Sequence, residues 1–145
     1  MSVAVPLRAE YPHGLVITTR WMDNDIYGHV NNVTYYSYFD TVVNEYMIRH
    51  GGLDIAQGPV IGLVVETTCR YHRALTFPET VEARLRVVHL GNSSVKHEIG
   101  LFSEGYEAAA ATGHFVHVFV DRATRKPAPI PPAIRSCLQA IQIKP

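Results

Sequence analysis

After Asn32 the apolar residues fall at Tyr35, Phe39, Val42, Val43 and Tyr46. This is the i, i+4, i+7, i+8, i+11 spacing of a helix with one buried face. Asn is a strong helix-start residue, because its side-chain oxygen accepts from the free N–H groups of the first turn. Gly51-Gly52 supplies a stop. Together these features predict a helix from Asn32 to about Arg49. Elsewhere the period falls to two. Leu15 to Arg20 is β-branched and apolar and reads as a first strand. Val60 to Tyr71 reads as a long one. Thr80 to Leu90 alternates, with Val81, Ala83, Leu85 and Val87 set against Glu82, Arg84, Arg86 and Val88, which predicts one buried and one charged face. Gly91-Asn92-Ser93 is a hairpin turn. Ser94 to Ser103 and Tyr106 to Asp121 are two further strands joined at Glu104-Gly105. His50 to Gly58 reads as a connector, Leu75 to Glu79 as a turn and Ala133 to Ile141 as a short terminal helix. Met1 to Pro12 reads as a loose lead-in. A lone amphipathic helix is marginal in water, so the long helix needs a sheet to cover it. One strand, one long helix and four strands in hairpin sequence predict an α+β chain: an antiparallel sheet with the helix on one face.

Composition narrows the class. The 145 residues suit a single domain with a real core, spanning 1–145 and centred on about 13–131. Lys plus Arg number 13 and so do Asp plus Glu, so no global charge points to nucleic acid or an anionic membrane. Charged residues make up 18%, against roughly 25% in ordinary soluble domains. That low value suggests surface covered by another subunit. Two cysteines, Cys69 and Cys137, do not make a scaffold and fit a reducing compartment. Met1 to Arg8 is too short and too weakly apolar for a signal peptide, and no run approaches the ~20 apolar residues of a membrane span. The expected location is cytoplasmic.

Candidate chemistry concentrates in Arg20-Trp21-Met22-Asp23-Asn24-Asp25-Ile26-Tyr27-Gly28-His29-Val30-Asn31-Asn32. A carboxylate-bearing loop feeds straight into a helix N-terminus, where unpaired N–H donors carry partial positive charge. Such donors can hold a carbonyl oxygen as it gains negative charge, with Gly28 letting the backbone approach. An Asp upstream can act on the same carbonyl as nucleophile or as general base for water. The arrangement reads as acyl-group hydrolysis without Ser, Cys or metal, although Asp-x-Asp before a helix also serves as plain loop capping. His114 and His117 have a ligand-like look. Three residues apart on a strand, however, they point to opposite faces, so no metal site is expected.

The same stretch, continued through Val33-Thr34-Tyr35-Tyr36-Ser37-Tyr38-Phe39-Asp40, resembles the motif of hotdog-fold acyl-CoA thioesterases of the 4-hydroxybenzoyl-CoA thioesterase-like branch. Arg70 to Glu79, Gly91 to Ser94 and Val118 to Asp121 extend the resemblance. It implies a curved antiparallel sheet wrapped around one long central helix, and hydrolysis of an acyl-CoA to free acid and coenzyme A. No cofactor is implied beyond the coenzyme A of the substrate. It carries the catalytic carboxylate onto Asp25, the polarising backbone N–H onto Asn32 and the motif glycine onto Gly28. It further implies substrate contacts from His29, Asn31, Tyr35, Arg70, Arg73 and Ser94, and a homodimer or homotetramer with the catalytic loop at the subunit junction. Two departures stand out: Asp40-Thr41-Val42-Val43 replaces a Glu-x-x-Arg pairing frequent in relatives, and position 27 is a bulky Tyr. Asp40 is the rival acid. The alternatives are acyl carrier protein as the thioester's carrier, met by a basic patch around Arg70 and Arg73, a non-catalytic acyl-CoA binder, and a hotdog dehydratase using His29 with Asp25.

Overall fold

A computed structural model describes residues 4–144. The first three residues of the predicted lead-in, and Pro145, lie outside the described residues. The long helix, α1, runs Asn32–Gly51 and ends on Gly52, whose φ of 66° is the left-handed conformation that glycine adopts cheaply. All five periodic apolar residues are buried, joined by Tyr38 and Met47. The strands are β1 (His13–Thr18), β2 (Val60–Tyr71), β3 (Thr80–Leu90), β4 (Ser94–Ser103) and β5 (Ala111–Asp121). A terminal helix, α2, spans Pro132–Ala140 and packs Ile134, Cys137 and Leu138 against the core. The expected α+β hotdog architecture holds: one five-stranded antiparallel sheet, with α1 packed on the face formed by Val81, Ala83, Leu85, Val95, Ile99, Leu101 and Phe119.

Three details depart from the sequence reading. The strand order is β1-β3-β4-β5-β2, so β2 and β3 are not hairpin partners. Residues 72–79 carry the chain across the end of the sheet instead. They are pinned there by Ala110, whose carbonyl accepts from the His72 and Arg73 N–H groups, and by Val30, whose N–H donates to Leu75 O. Next, β5 begins at Ala111 and not at Tyr106. After the turn at Gly105 (φ 82°) the chain pairs with the lead-in: Arg8 N–H donates to Glu107 O and Ala109 N–H to Pro6 O. That pairing buries Tyr11 against Phe102 on the outer face, so the described part of the lead-in is packed and not loose. Finally, β1 sits two residues earlier than the apolar run suggests, because its pairing with β3 runs from His13–Leu85 to Thr18–Thr80.

The helix approaches the sheet closely at one point. A Cβ on Gly113 would overlap the Phe39 ring and the Thr68 carbonyl oxygen, so only glycine lets the ring pack this close to β5. Gly113→Ala is expected to lower stability by about 1–3 kcal/mol, the usual cost of overpacking, as read by urea denaturation.

Candidate active site

The two aspartates of the loop have different fates. Asp23 is buried at 2% exposure. Its carboxylate accepts from Tyr38 Oη at 2.7 Å, Arg20 N at 2.9 Å and Arg20 Nε at 3.0 Å. Its backbone oxygen accepts from Asn31 N–H at 2.8 Å. Burial pushes its pKa up, but the Tyr38 and Arg20 hydrogen bonds outweigh that and hold it below the ordinary 3.8. Every route from Asp23 thus leads to a structural partner.

Asp25 is half-buried at the loop's open side. One carboxylate oxygen accepts from Tyr27 N–H at 2.9 Å, and the other lies 3.4 Å from Asn31 Nδ2. Asp25 O accepts from Gly28 N–H and Asp25 N–H donates to His29 O, closing a tight turn. Gly28 has a φ of 82°, a conformation costly for any residue with a Cβ. Its carbonyl is tied down by Thr76 Oγ1 at 2.8 Å. Asn31 joins the turn to the helix. While its Nδ2 faces Asp25, its Oδ1 caps α1 by accepting from Val33 N–H at 3.0 Å. The cap takes the second N–H of the helix. Among the described residues, the first N–H, that of exposed Asn32, has no acceptor. The result is an ionisable carboxylate and a free helix-terminal donor held on either side of one amide side chain.

The other predicted residues divide. His29 is exposed on the turn. Tyr35 belongs to the core and not to the open loop: it is 3% exposed, its hydroxyl accepts from Leu75 N–H and its ring meets Tyr71 edge-on. Arg73 is engaged at the end of β4, donating to Ser103 Oγ at 2.7 Å and stacking on Tyr106. Arg70 lies on the outer face of β2, in an open hollow of about 440 Å³ that also takes Lys96, Arg86 and His72. Ser94 starts β4 and pairs with Val118, whereas Tyr71 beside the loop pairs with Ala111. Those seven residues of β5 separate the two ends by about 23 Å. Within one chain, then, Asp25, Gly28, Asn31 and Asn32 come together, and Arg73, Arg70 and Ser94 do not join them.

Sequence reasoning missed the loop's anchors. Asn24 Oδ1 accepts from Phe77 N–H, and Tyr71 Oη donates to Asn32 O at 2.8 Å, bracing the helix start against β2. Nothing local in the sequence marks these pairs. Among the described residues, no group of three or more His, Cys, Asp or Glu is placed to hold a metal ion.

The chain thus presents a sheet wrapped around one helix, with a carboxylate-bearing loop at the helix N-terminus. Residues 19–138 match the model of the Thioesterase-like superfamily, and the chain belongs to that family of thioester hydrolases. It is similar to the PA5185 protein of Pseudomonas aeruginosa strain PAO1, at 56% identity and a TM-score of 0.94 over 96% of this chain and 97% of that one. It is also similar to a thioesterase of Thermus thermophilus solved with coenzyme A and zinc, at 29% identity and a TM-score of 0.74 over 89% and 98%. The gentisyl-coenzyme A thioesterase BH1999 shares the fold at 22% identity, with a TM-score of 0.77 over 87% and 99%. No curated protein matches the chain.

Removing the Tyr38 hydroxyl tests the Asp23 clamp. Tyr38→Phe is expected to cost about 1–3 kcal/mol at pH 7, since it leaves a buried carboxylate short of a donor. Because that bond helps depress the folded-state pKa, the gap from wild type is full above 3.8. It closes as pH falls through the depressed value. Urea denaturation across that range measures it.

Proposed function

We propose that the chain hydrolyses acyl-coenzyme A thioesters at the Asp25 loop. The observation that carries this reading is the Asn31 bridge, which holds the Asp25 carboxylate beside a helix whose first N–H is free. The thioester carbonyl oxygen takes the Asn32 N–H, which meets the charge that develops there. Asp25 then acts in one of two ways. As a base it takes a proton from water, whose oxygen attacks the carbonyl carbon. The C–S bond breaks and its electron pair leaves on the coenzyme A sulfur. As a nucleophile it attacks that carbon itself, expels the thiolate and leaves a mixed anhydride for water to open. Rapid-quench trapping of the anhydride separates the two. Coenzyme A as carrier is supported by its presence in the Thermus thermophilus relative.

The working unit is a homodimer joined at β2. Among the described residues this strand pairs only with β5, and its free edge exposes Leu63, Val64 and Val65 at 37%, 47% and 60%. An unpaired apolar edge of that length is a template for another strand. Pairing β2 with its own copy, with both helices on one side of the joined sheet, makes the two strands antiparallel. The C-terminal end of one β2, where Tyr71 braces the helix start, then lies beside the N-terminal end of the other, and the loop of one subunit meets the Ser94 end of its partner. Exposed Trp21, Met22, Ile26 and Tyr27 beside Asp25 gain a cover in the same step.

Thiol release from short, medium, long and aromatic acyl-CoAs is the direct test. Turnover of at least one class is expected, falling at least about a hundredfold in Asp25→Asn, the typical loss for an acid–base group. Activity that survives in this variant would move the chemistry to Asp40 or His29. Sedimentation equilibrium is expected to give at least twice the chain mass, and Val65→Lys to weaken that association.

A further inference from the structure

Beneath the C-terminal half of α1, at the β2 edge, lies a second cavity of about 210 Å³. Met47, Leu53, Ile55 and Ile61 supply apolar wall, and no Phe, Tyr or Trp lines it. The polar lining is Asn44, Arg122 and His117. Arg122 is committed: Nε donates to Gly58 O at 2.6 Å and Nη2 to Ile55 O at 2.9 Å, which holds the connector over the cavity. Asn44 Nδ2 is committed to Asp40 Oδ1 at 2.9 Å and to Asp40 O at 2.9 Å. His117 is different. It is 3% exposed, its Nδ1 has no hydrogen-bond partner, and its ring packs edge-on against His97, which is fully buried with neither nitrogen paired. A buried polar group left unsatisfied costs about 1–3 kcal/mol. Nδ1 itself is sealed off; Nε2, which is not sealed and has no hydrogen bond among the described residues, is the nitrogen that an occupant of the cavity can meet.

The reading of β2 as the dimer seam says where that occupant comes from. Ile61 and Gly62 of the wall belong to the N-terminal half of β2. In the antiparallel seam that half lies beside the partner's catalytic loop, which brings the cavity to the same junction as an acyl group held there. The occupant's chemistry follows from the lining. The aliphatic wall fits a flexible chain and not a stacked ring. Burial lowers the His117 pKa and keeps the imidazole neutral, and Asp40 nearby opposes this only in part. A neutral imidazole beside a carboxylate disfavours an anionic tail and suits a hydroxyl. We infer, resting on the proposed thioesterase function and its β2 dimer, that this cavity selects aliphatic acyl chains carrying a hydroxyl near their far end, with His117 as the specificity-determining residue.

The test separates this inference from the reading beneath it. Turnover of plain acyl-CoAs, lost in Asp25→Asn, reports on the catalytic reading alone. The cavity is tested by equilibrium binding of hydrolysis-resistant S-alkyl-coenzyme A thioethers of matched length ending in methyl, hydroxyl or carboxylate, measured by calorimetry. The wild type is expected to bind the best-fitting hydroxyl-ended thioether about tenfold more tightly than its methyl counterpart, the net worth of about one hydrogen bond. His117→Leu is expected to abolish or reverse that preference while still binding the methyl-ended compound. His117→Gln, which keeps a polar head, is expected to retain part of it, and Asn44→Ala, which leaves the imidazole in place, most of it. Equal binding of the methyl and hydroxyl ends, a preference for the carboxylate, a hydroxyl preference that survives His117→Leu, or no thioether binding at all would each overturn the inference.

Discussion

The site depends on one buried carboxylate. Asp23 gathers the Tyr38 hydroxyl from the helix, the Arg20 backbone and side chain from the start of the loop, and through its own carbonyl the N–H of Asn31 at the helix cap. A charge in that position is tolerable only because it is saturated with donors. The saturation fixes where the chain enters α1 and sets the direction of the helix N-terminus. Asp25 stays half-exposed, its oxygens meeting only Tyr27 N–H and Asn31 Nδ2 within the loop. The two aspartates, two residues apart, thus differ in place: one is consumed in holding the turn, and the other stays at its open side.

Strain and space are managed around the same loop. Gly28 takes the left-handed conformation that lets its carbonyl turn to Thr76, and Asn24 reaches Phe77 from the next residue pair. These ties join the loop to residues 72–79, the segment that crosses the end of the sheet. Loop, crossover and helix start therefore form one braced unit, and Tyr71 extends it to β2.

The face of the sheet under α1 is almost wholly apolar, and its exceptions are instructive. His97 and His117 are buried there without polar partners on three of their four ring nitrogens. Desolvation drives the His97 pKa down to about 3, so the ring stays neutral in the folded chain. As pH falls below the ordinary 6.5 the unfolded chain takes up a proton that the folded chain refuses, and stability drops. Of the two, His117 lines the second cavity.

Much of this was legible in the order of residues. The 3.6-residue period of Tyr35, Phe39, Val42, Val43 and Tyr46 and the alternation of Thr80–Leu90 are local consequences of burying one face, so helix and strands could be read off directly. The Asp25, Gly28, Asn31 and Asn32 cluster lies within eight residues and was legible for the same reason. What lay across the fold was not. The position of β2 beside β5, the burial of Tyr35, the engagement of Arg73 by Ser103 and Tyr106 and the remoteness of Ser94 all depend on contacts between residues tens of positions apart, for which the local pattern carries no signal. The sequence by itself determined the elements and which residues the loop brings together, because both are short-range. Only the tertiary structure decided which aspartate is spent and which is free, because that turns on the Tyr38 hydroxyl, brought to Asp23 from fifteen residues away by the packing of the helix.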